Sequence, residues 1–579
     1  MEIAHRFLTY QHFPSHLKFL RSSSSSSSSD LGLGFLRSLH CSRTTMSSSS
    51  SSLIQVKEKI DLTEKETQIF ERLIGVVRHF SLTNSLMKET QLRVAGGWVR
   101  DKLLGKECYD IDIALDNMLG REFCEKVNEY FSHIGEVNQG IGVIQSNPDQ
   151  SKHLETARMR LYDVWIDFVN LRSEDYSENS RIPTMKFGTA EEDAYRRDLT
   201  INSLFYNINT DSVEDFTGRG VDDLKAGKIV TPLPPKETFL DDPLRVLRAI
   251  RFGARFGFVL DDELKKAAAD DDVNVAIRDK ISRERIGHEI DLMISGNEPV
   301  KAVAYICDFR LFWVVFTPPQ AETSKIEECD RHCVAYIEAA WRLLHVVGFS
   351  TFGDEERRLY LYGTLFLPLR NSLYADNKGK KLPIVNHIFR NSLKLKSSDA
   401  ETVMKLHEAA QKFLSLIPSL TSNNLDHVEE DQERIKRISA GKLLREIKSF
   451  WRTSLLISIL MSCGKEYPKE CAELDKSKQL YLSVEKAVME LGLDKVWEQK
   501  PLVNGKEIIN ILQLKTGGPQ VKKWQDRLLE WQLGHPYGTA EECLDWMRQE
   551  LEGQAQKRAK LDESSNATVQ EQDPVAEKI

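Results

Sequence analysis

With 579 residues, 41% of them hydrophobic, the chain is long enough for several domains with ordinary apolar cores. A formal net charge of -8 excludes a diffuse nucleic-acid coat, so any nucleic-acid surface has to be a local basic stripe. No apolar run reaches the ~18 residues of a membrane span, SLLISILMSC from Ser454 being the longest, and nine cysteines without a CxxC pair fit reduced thiols; a soluble intracellular protein is expected.

The first 52 residues are a different material. Serine tracts run from Ser22 to Ser29 and from Ser47 to Ser52, and Arg6, Lys18, Arg21, Arg37 and Arg43 outnumber the acids Glu2 and Asp30. Such a composition buries no core and predicts an organelle transit peptide, mitochondrial or chloroplast, within a disordered leader over 1–60. Initiation at Met46 would remove most of that address and leave a cytoplasmic and nuclear form.

Over 61–214 the pattern alternates. TEKETQIFERLIGVVRHF has apolar residues at helical spacing behind the capping-type Thr63, LRVAG is a strand, REFCEKVNEYFSHIG a helix and IDFVNLR another strand. This predicts an α/β catalytic head. Strands essentially stop after Asp215, so 215–296, 297–425 and 426–552 are expected to be helical, with joints near Gly296 and around Thr421 to Asp431. The NKGKK segment at Asn377 to Lys381 is a surface loop, and Cys329 and Cys333 beside His332 lack a second ligand pair and are structural. A polar tail over 553–579 is expected to be disordered, and Lys557, Arg558 and Lys560 in it are more a solvated face than a nuclear signal.

Four motifs carry chemistry. In VAGGWVRDKLLGKECYDIDIAL, from Val94 to Leu115, the glycine pair lets the N-H groups of Gly96 and Gly97 approach phosphate oxygens before a short basic helix. Asp110 and Asp112 share one strand face, and two adjacent carboxylates repel unless a hard cation such as Mg2+ lies between them. Alone, each half is a common turn or a solvated edge; in this order and spacing they lay out a nucleotide-polymerising site. In EEDAYRRDLTINSLFYN, Leu199, Ile201, Leu204 and Phe205 bury a face while Arg196, Arg197 and Asp198 stay at one end, either as a helix-end salt bridge or as an arginine fork for phosphate or ribose oxygens.

DFTGRGVDDLKAGKIVTP, from Asp215, is a turn-rich hinge. Finally, DDPLRVLRAIRF places Asp242 and Arg245 three apart on one helix face, behind Pro243 at a first turn. Cytosine and adenine each present an amino donor beside a ring-nitrogen acceptor; guanine and uracil present a carbonyl beside an N-H. An Asp acceptor with an Arg donor therefore takes C and A and refuses G and U without a template. Arg248 and Arg251 continue at i+3 steps, toward phosphates or a primer strand or as a plain exposed face, while Leu244, Leu247 and Ile250 form the buried stripe.

Taken in order, GGWVRDKLLG with DID, RRDLTINSL, DFTGRGVDDL, DDPLRVLRAIRF and SRERIGHEIDLM resemble the five motifs of class II tRNA nucleotidyltransferases, the CCA-adding enzymes, densely from Leu92 to Met293 and more loosely beyond, with plant enzymes as the nearest likeness. The resemblance implies an α+β protein: a head with a mixed β-sheet, then an all-helical neck, body and tail in a seahorse shape. It implies that Gly97 and Arg100 hold the triphosphate, Asp110 and Asp112 the metals, and that Arg197 contacts the nucleotide, with Asp198 beside it. Asp242 and Arg245 would read the base, with Arg248 and Arg251 nearby. Asp241 stands where the family often has Glu, Leu199 where Phe is usual, and Asp167 is a third carboxylate without an assigned role.

The implied reaction is template-independent addition of CMP, CMP and AMP from CTP and ATP to a tRNA 3' end, with Mg2+ and release of pyrophosphate. No membrane partner is expected, and monomer or homodimer stays open. Lys522, Lys523 and Arg527, around Trp524, either touch the tRNA backbone or form a solvated basic face. The rivals are a poly(A) polymerase, a CC-only or A-only enzyme governed by a flexible loop within Ser173 to Ala190, and a non-catalytic tRNA chaperone.

Overall fold

The computed structural model describes residues 55–82, 87, 89–144, 156–175, 184–319, 329–421, 430–463 and 471–569. The leader with Met46, the middle of the flexible-loop segment (176–183), most of the second joint (422–429) and residues 570–579 lie outside them.

The head opens as its capping signal requires. Thr63 accepts from the Glu66 amide while the Glu66 carboxylate accepts from the Thr63 amide at 2.7 Å, starting the helix Glu64–Ser81. There follow β1 (Leu92–Ala95), the helix Gly97–Leu103, β2 (Ile111–Leu115), the helix Gly120–Ile134, β3 (Ile141–Ile144), β4 (Thr156–Leu161), β5 (Val164–Asn170), β6 (Arg172–Asp175), β7 (Thr184–Phe187), the helix Ala190–Tyr195, β8 (Phe205–Asn207) and β9 (Ser212–Glu214). Seven strands form one mixed sheet in the order β3-β4-β5-β2-β1-β8-β9, in which only β2 and β5 pair in parallel. That parallel pair needs a crossover, which Gly120–Ile134 begins.

One sheet face is closed. Val94, Ile113 and Phe168 pack against Ile69, Phe70 and Leu73 of the first helix and Phe123 and Val127 of the crossover helix, all in one apolar core. Each such side chain contributes about 1.5–3 kcal/mol by burial. The opposite face is only partly covered. Ala95, Ala114, Ala190, Ala194 and Phe205 form a small second core there, beneath the helix Ala190–Tyr195. Cross-strand register puts Asp112 beside Asp167, Asp167 beside Arg158, and Trp165 beside Arg160 on the uncovered remainder.

Among the described residues beyond Asp215 helices dominate, as expected, with two exceptions: a short parallel pair, Lys228–Ile229 with Val259–Leu260, and a hairpin, Leu373–Ala375 with Lys381–Pro383. The NKGKK loop is the turn of that hairpin, held where Asp376 accepts from the amides of Lys378 and Lys380. DFTGRGVDDL is not an open hinge. Asp215 accepts from the Thr217 hydroxyl at 2.8 Å and from the Val221 amide at 3.0 Å, and Asp223, in the helix Gly220–Ala226, accepts from Thr200 at 2.8 Å, tying this segment to the motif before it.

The helix Leu244–Phe256 packs on Arg283–Ile294, and the head core runs without a break into Cys329–Val347, Asp354–Leu365, Ser397–Thr421 and Trp451–Ser462. Trp451–Ser462, which holds the long apolar run, is buried on nearly all sides, which explains its uniform hydrophobicity; among the described residues no helix is long and apolar enough to cross a membrane. A separate cluster of Val503, Ile508, Val521, Trp524, Leu528, Cys543 and Met547 organises the C-terminal helices. The last of these, Ala540–Val569, continues well past residue 553, because its Glu, Gln, Ala, Lys and Arg are strong helix formers. The tail expected to be disordered is thus helical in backbone as far as Val569. Lys557, Arg558 and Lys560 lie on it, with side chains outside the described residues.

One glycine of the fifth motif is fixed by space. A Cβ on Gly287 would lie 1.7 Å from the Leu393 carbonyl oxygen, a backbone atom with no side chain to swing aside. Gly287→Ala therefore has to part the helix Arg283–Ile294 from the segment at Leu393, and it is expected to lower stability by about 1–3 kcal/mol, read as a lower urea midpoint.

Candidate active site

The partly covered sheet face and the helix Leu244–Phe256 enclose a cleft of about 580 Å³. Asp112, Ala114 and Val169 line it from the sheet, Gly97 and Arg100 from the first motif, Arg196, Arg197 and Asp198 from the second, and Asp242, Arg245 and Arg248 from the fourth. Motifs spread over some 150 residues of sequence thus converge on one space. Eight arginines line it against five carboxylates, a local positive surplus in an acidic chain that suits a polyanionic ligand.

Asp112 sits on β2, while Asp110 stands just before the strand and is exposed. Burial, then the nearby charges of Asp110 and Asp167, push the Asp112 carboxyl up to about 7, against partial relief from Arg197 and Arg158. Asp167 itself is gripped by the Arg158 guanidinium, with Nη2 donating at 2.7 Å. Among the described residues no three acidic, histidine or cysteine side chains close into a metal cage. A carboxylate pair with open positions suits Mg2+, which keeps several waters and binds through one or two carboxylates plus substrate phosphates.

Gly96 does not do what its position in the motif suggested. Its amide already donates to the Leu204 carbonyl at 2.8 Å, and it is absent from the cleft lining. Its φ of +72° and the 2.7 Å that would separate a Cβ from Arg197 Nη1 make it the turn that admits Arg197. Gly97 does line the cleft, and so does Arg100, which donates through Nε to Asp101 at 2.8 Å, is bonded to Asn202, and lies 5.0 Å from the Phe252 ring and 4.8 Å from that of Phe256. A cation lying over two rings and bonded at its edge is held in place as a donor.

The RRD motif is organised by a residue the sequence did not single out. Asp193, 1% exposed, binds both Arg196 and Arg197, and those cations outweigh burial to keep its carboxyl below the usual range. Asp198 holds Arg248 through two contacts of 2.7 Å; burial opposes its charge, but Arg248, Asn202 and Arg245 overcome that and hold its carboxyl down to about 2. Its carboxylate is therefore turned to positioning Arg248. Arg172, Glu174, Arg255 and Arg285 also line the cleft without having been identified beforehand. Arg285 lies inside the quoted SRERIGHEIDLM, but nothing in that string shows which of its charges turns inward.

Asp242 is not on the same helix as Arg245. It ends the turn of Pro235–Asp241 with extended backbone (φ -131°, ψ 97°), and Leu244–Phe256 starts after Pro243. The two still meet at the cleft, since the Arg245 amide donates to the Asp242 carbonyl at 3.0 Å. Each side chain also has other partners. Asp242 accepts from Arg285 at 3.0 Å, whereas Arg245 donates to the Arg196 carbonyl at 2.7 Å and lies 3.7 Å from Glu174.

Two further expectations fail on geometry. Arg251 does not face the cleft; it donates to the buried Glu289 at 2.6 Å, because each i+3 step on an α-helix falls about 60° short of a full circle, and two steps from Arg245 turn it away. Arg527 is not a free RNA contact. Its guanidinium is bonded to Glu550 and sits 4.5 Å from the Trp524 ring and 5.3 Å from that of Trp546, so it braces the C-terminal core. Lys522 is exposed beside Asp526 and Lys523 is exposed.

Comparison with known proteins points the same way. Residues 92–230 match the poly A polymerase head domain. The mitochondrial CCA tRNA nucleotidyltransferase of Candida glabrata is 35% identical over 525 residues, 85% of this chain and 96% of that protein. Two solved structures share the fold: the CCA-adding enzyme of Bacillus stearothermophilus in complex with CTP (TM-score 0.53, 18% identity, 84% of this chain, 99% of that one) and that of Thermotoga maritima complexed with tRNA (0.52, 19%, 85% and 96%). A head of this family, an arginine-rich cleft that takes in Asp112, and 35% identity over 85% of the chain to a known enzyme place the chain in the CCA tRNA nucleotidyltransferase family of nucleotidyl-transferring enzymes.

Proposed function

We propose that this enzyme adds C, C and A from CTP and ATP to the 3' end of tRNA, releasing pyrophosphate, with Asp110 and Asp112 holding Mg2+. Nucleotidyltransferases of this family depend on a metal ion. The observation that carries the reading is the single cleft in which Asp112 lies on the floor and Asp242 and Arg245 on the opposite wall. The crowding of Asp112 by Asp110 and Asp167 is what a divalent cation relieves. When bound, that ion supplies positive charge that acidifies the 3'-hydroxyl and offsets charge on the triphosphate.

The chain's own residues do the rest. Arg100 and Arg197, each fixed by other side chains, bind triphosphate oxygens beside Gly97, and Arg248, aligned by Asp198, extends that cationic wall. Asp242 accepts the amino group of cytosine or adenine while Arg245 donates to the ring nitrogen next to it. Lys522 and Lys523 are exposed and accessible to tRNA backbone phosphates. The basic serine-rich leader, together with a mitochondrial relative, supports delivery to the mitochondrion.

The test uses tRNA transcripts ending before CC, after the first C and after CC, each given one labelled nucleotide with Mg2+ and sized on a gel. Successive C, C and A additions that then stop are expected. Long A tails would make it a poly(A) polymerase, and extension of only one or two of the three transcripts would make it a partial enzyme.

A further inference from the structure

Two large aromatic side chains stand in water on either side of Asp110. Tyr109, 75% exposed, precedes it in sequence, and Trp165, 52% exposed, is next to it in register, since Ile111 pairs with Ile166. Scattered exposed aromatics need no explanation, but these two flank one carboxylate of the proposed reaction centre. Trp165 projects from the same sheet face as Asp167 and Asp112, and its cross-strand neighbour on that face is Arg160. The Arg158 guanidinium lies 5.9 Å from the indole ring, and the side chains of Arg158 and Arg160 are 41% and 53% exposed.

The cleft takes the other direction. Its sheet lining runs from Asp112 to Ala114, Val169 and Asn170, toward the C-terminal ends of β2 and β5, and on to Thr156 and Ile144; it includes neither Trp165 nor Arg158 nor Arg160. In nucleotidyl transfer the attacking and leaving oxygens lie roughly in line on opposite sides of the phosphorus. With the triphosphate in the cleft, the growing strand has to reach Asp112 from the Trp165 side. We infer that Trp165, with Arg160 and Arg158 beside it, is the platform on which the single-stranded 3' end of the RNA being extended is stacked and held. A base on the indole gives sequence-tolerant contact, as a site needs when the terminal base changes with each addition, and the arginines meet the strand's phosphates. Neighbouring strands are about 4.8 Å apart, so a nucleotide on Trp165 is about one step from the carboxylates.

This inference rests on the reading of Asp110 and Asp112 as the reaction centre, and the experiment separates the two. Trp165→Ala, at an exposed position, is expected to raise KM for a tRNA ending in CC about tenfold, with KM for ATP and kcat within about twofold, and Trp165→Phe is expected to restore most of the loss. Replacing the terminal base of the primer by an abasic nucleotide should weaken wild type but add little to Trp165→Ala. An unchanged primer KM, a loss that appears equally in kcat or in KM for ATP, or full additivity with the abasic primer overturns the platform. Asp110→Ala assayed alongside reports on the centre itself: if that variant turns over normally, the underlying assignment has failed, whatever Trp165 does.

Discussion

Asp110→Ala is expected to abolish incorporation of CMP and AMP alike, with affinity for tRNA close to wild type. Loss of an outer-shell partner of a metal site already removes about 10- to 100-fold of activity, so loss of one of two proposed ligands is expected to exceed about a hundredfold. Because all three additions would share this centre, C and A incorporation fall together, which distinguishes it from a base-reading defect. Asp110 is exposed, so its truncation leaves the core intact. Asp112→Asn offers a readout apart from turnover. Burial and two neighbouring carboxylates disfavour charge at this position, and the amide removes that conflict. The variant should be inactive, at least as stable as wild type without Mg2+, and no longer stabilised when Mg2+ is added, whereas wild type gains stability from the ion. Normal turnover of Asp110→Ala, or an unchanged Mg2+ response in Asp112→Asn, removes the metal assignment.

What could be seen in the sequence was what local chemistry encodes. The capping box at Thr63 and the strands around Val94 and Phe168 depend on residues a few positions apart, and so does the meeting of Asp242 and Arg245 at the cleft, although the break at Pro243 puts them on different elements. What could not be seen depends on register. That Asp167 lies beside Asp112 follows from the parallel pairing of β2 with β5 across more than 50 residues, and no local pattern announces it. Asp193 resembles any acid in a helix's first turns until Arg196 and Arg197 fold back onto it. Arg251 continues an i+3 ridge in the sequence, but the second step from Arg245 carries it round the helix to Glu289. The Gly96 amide is taken by the Leu204 carbonyl at the end of the second motif, just before β8, and only the fold brings Leu204 there. Arg527 shows the converse: a residue of a basic face on paper is half-buried against two tryptophans from different helices and tied to Glu550.

Asp242→Ala is expected to erode the preference for CTP and ATP over UTP and GTP by about 10- to 100-fold, as a bidentate base contact is worth about 1–3 kcal/mol of discrimination. The effect should appear as a rise in UMP and GMP incorporation relative to CMP and AMP, with the triphosphate contacts and the carboxylate pair unchanged. The environment of each reader shapes its variant. Asp242 accepts from Arg285, so its removal leaves that guanidinium without this partner at the cleft wall, where it can donate to the carbonyl of uracil or guanine. Arg245→Ala instead withdraws a cation from the neighbourhood of Glu174, already pressed between Arg172 and Arg196, and should lower incorporation of every nucleotide before it relaxes selectivity. The two variants are therefore expected to differ in kind. If UTP and GTP stay fully excluded in Asp242→Ala while CMP and AMP incorporation falls, Asp242 orients Arg285 and the helix start rather than reading a base.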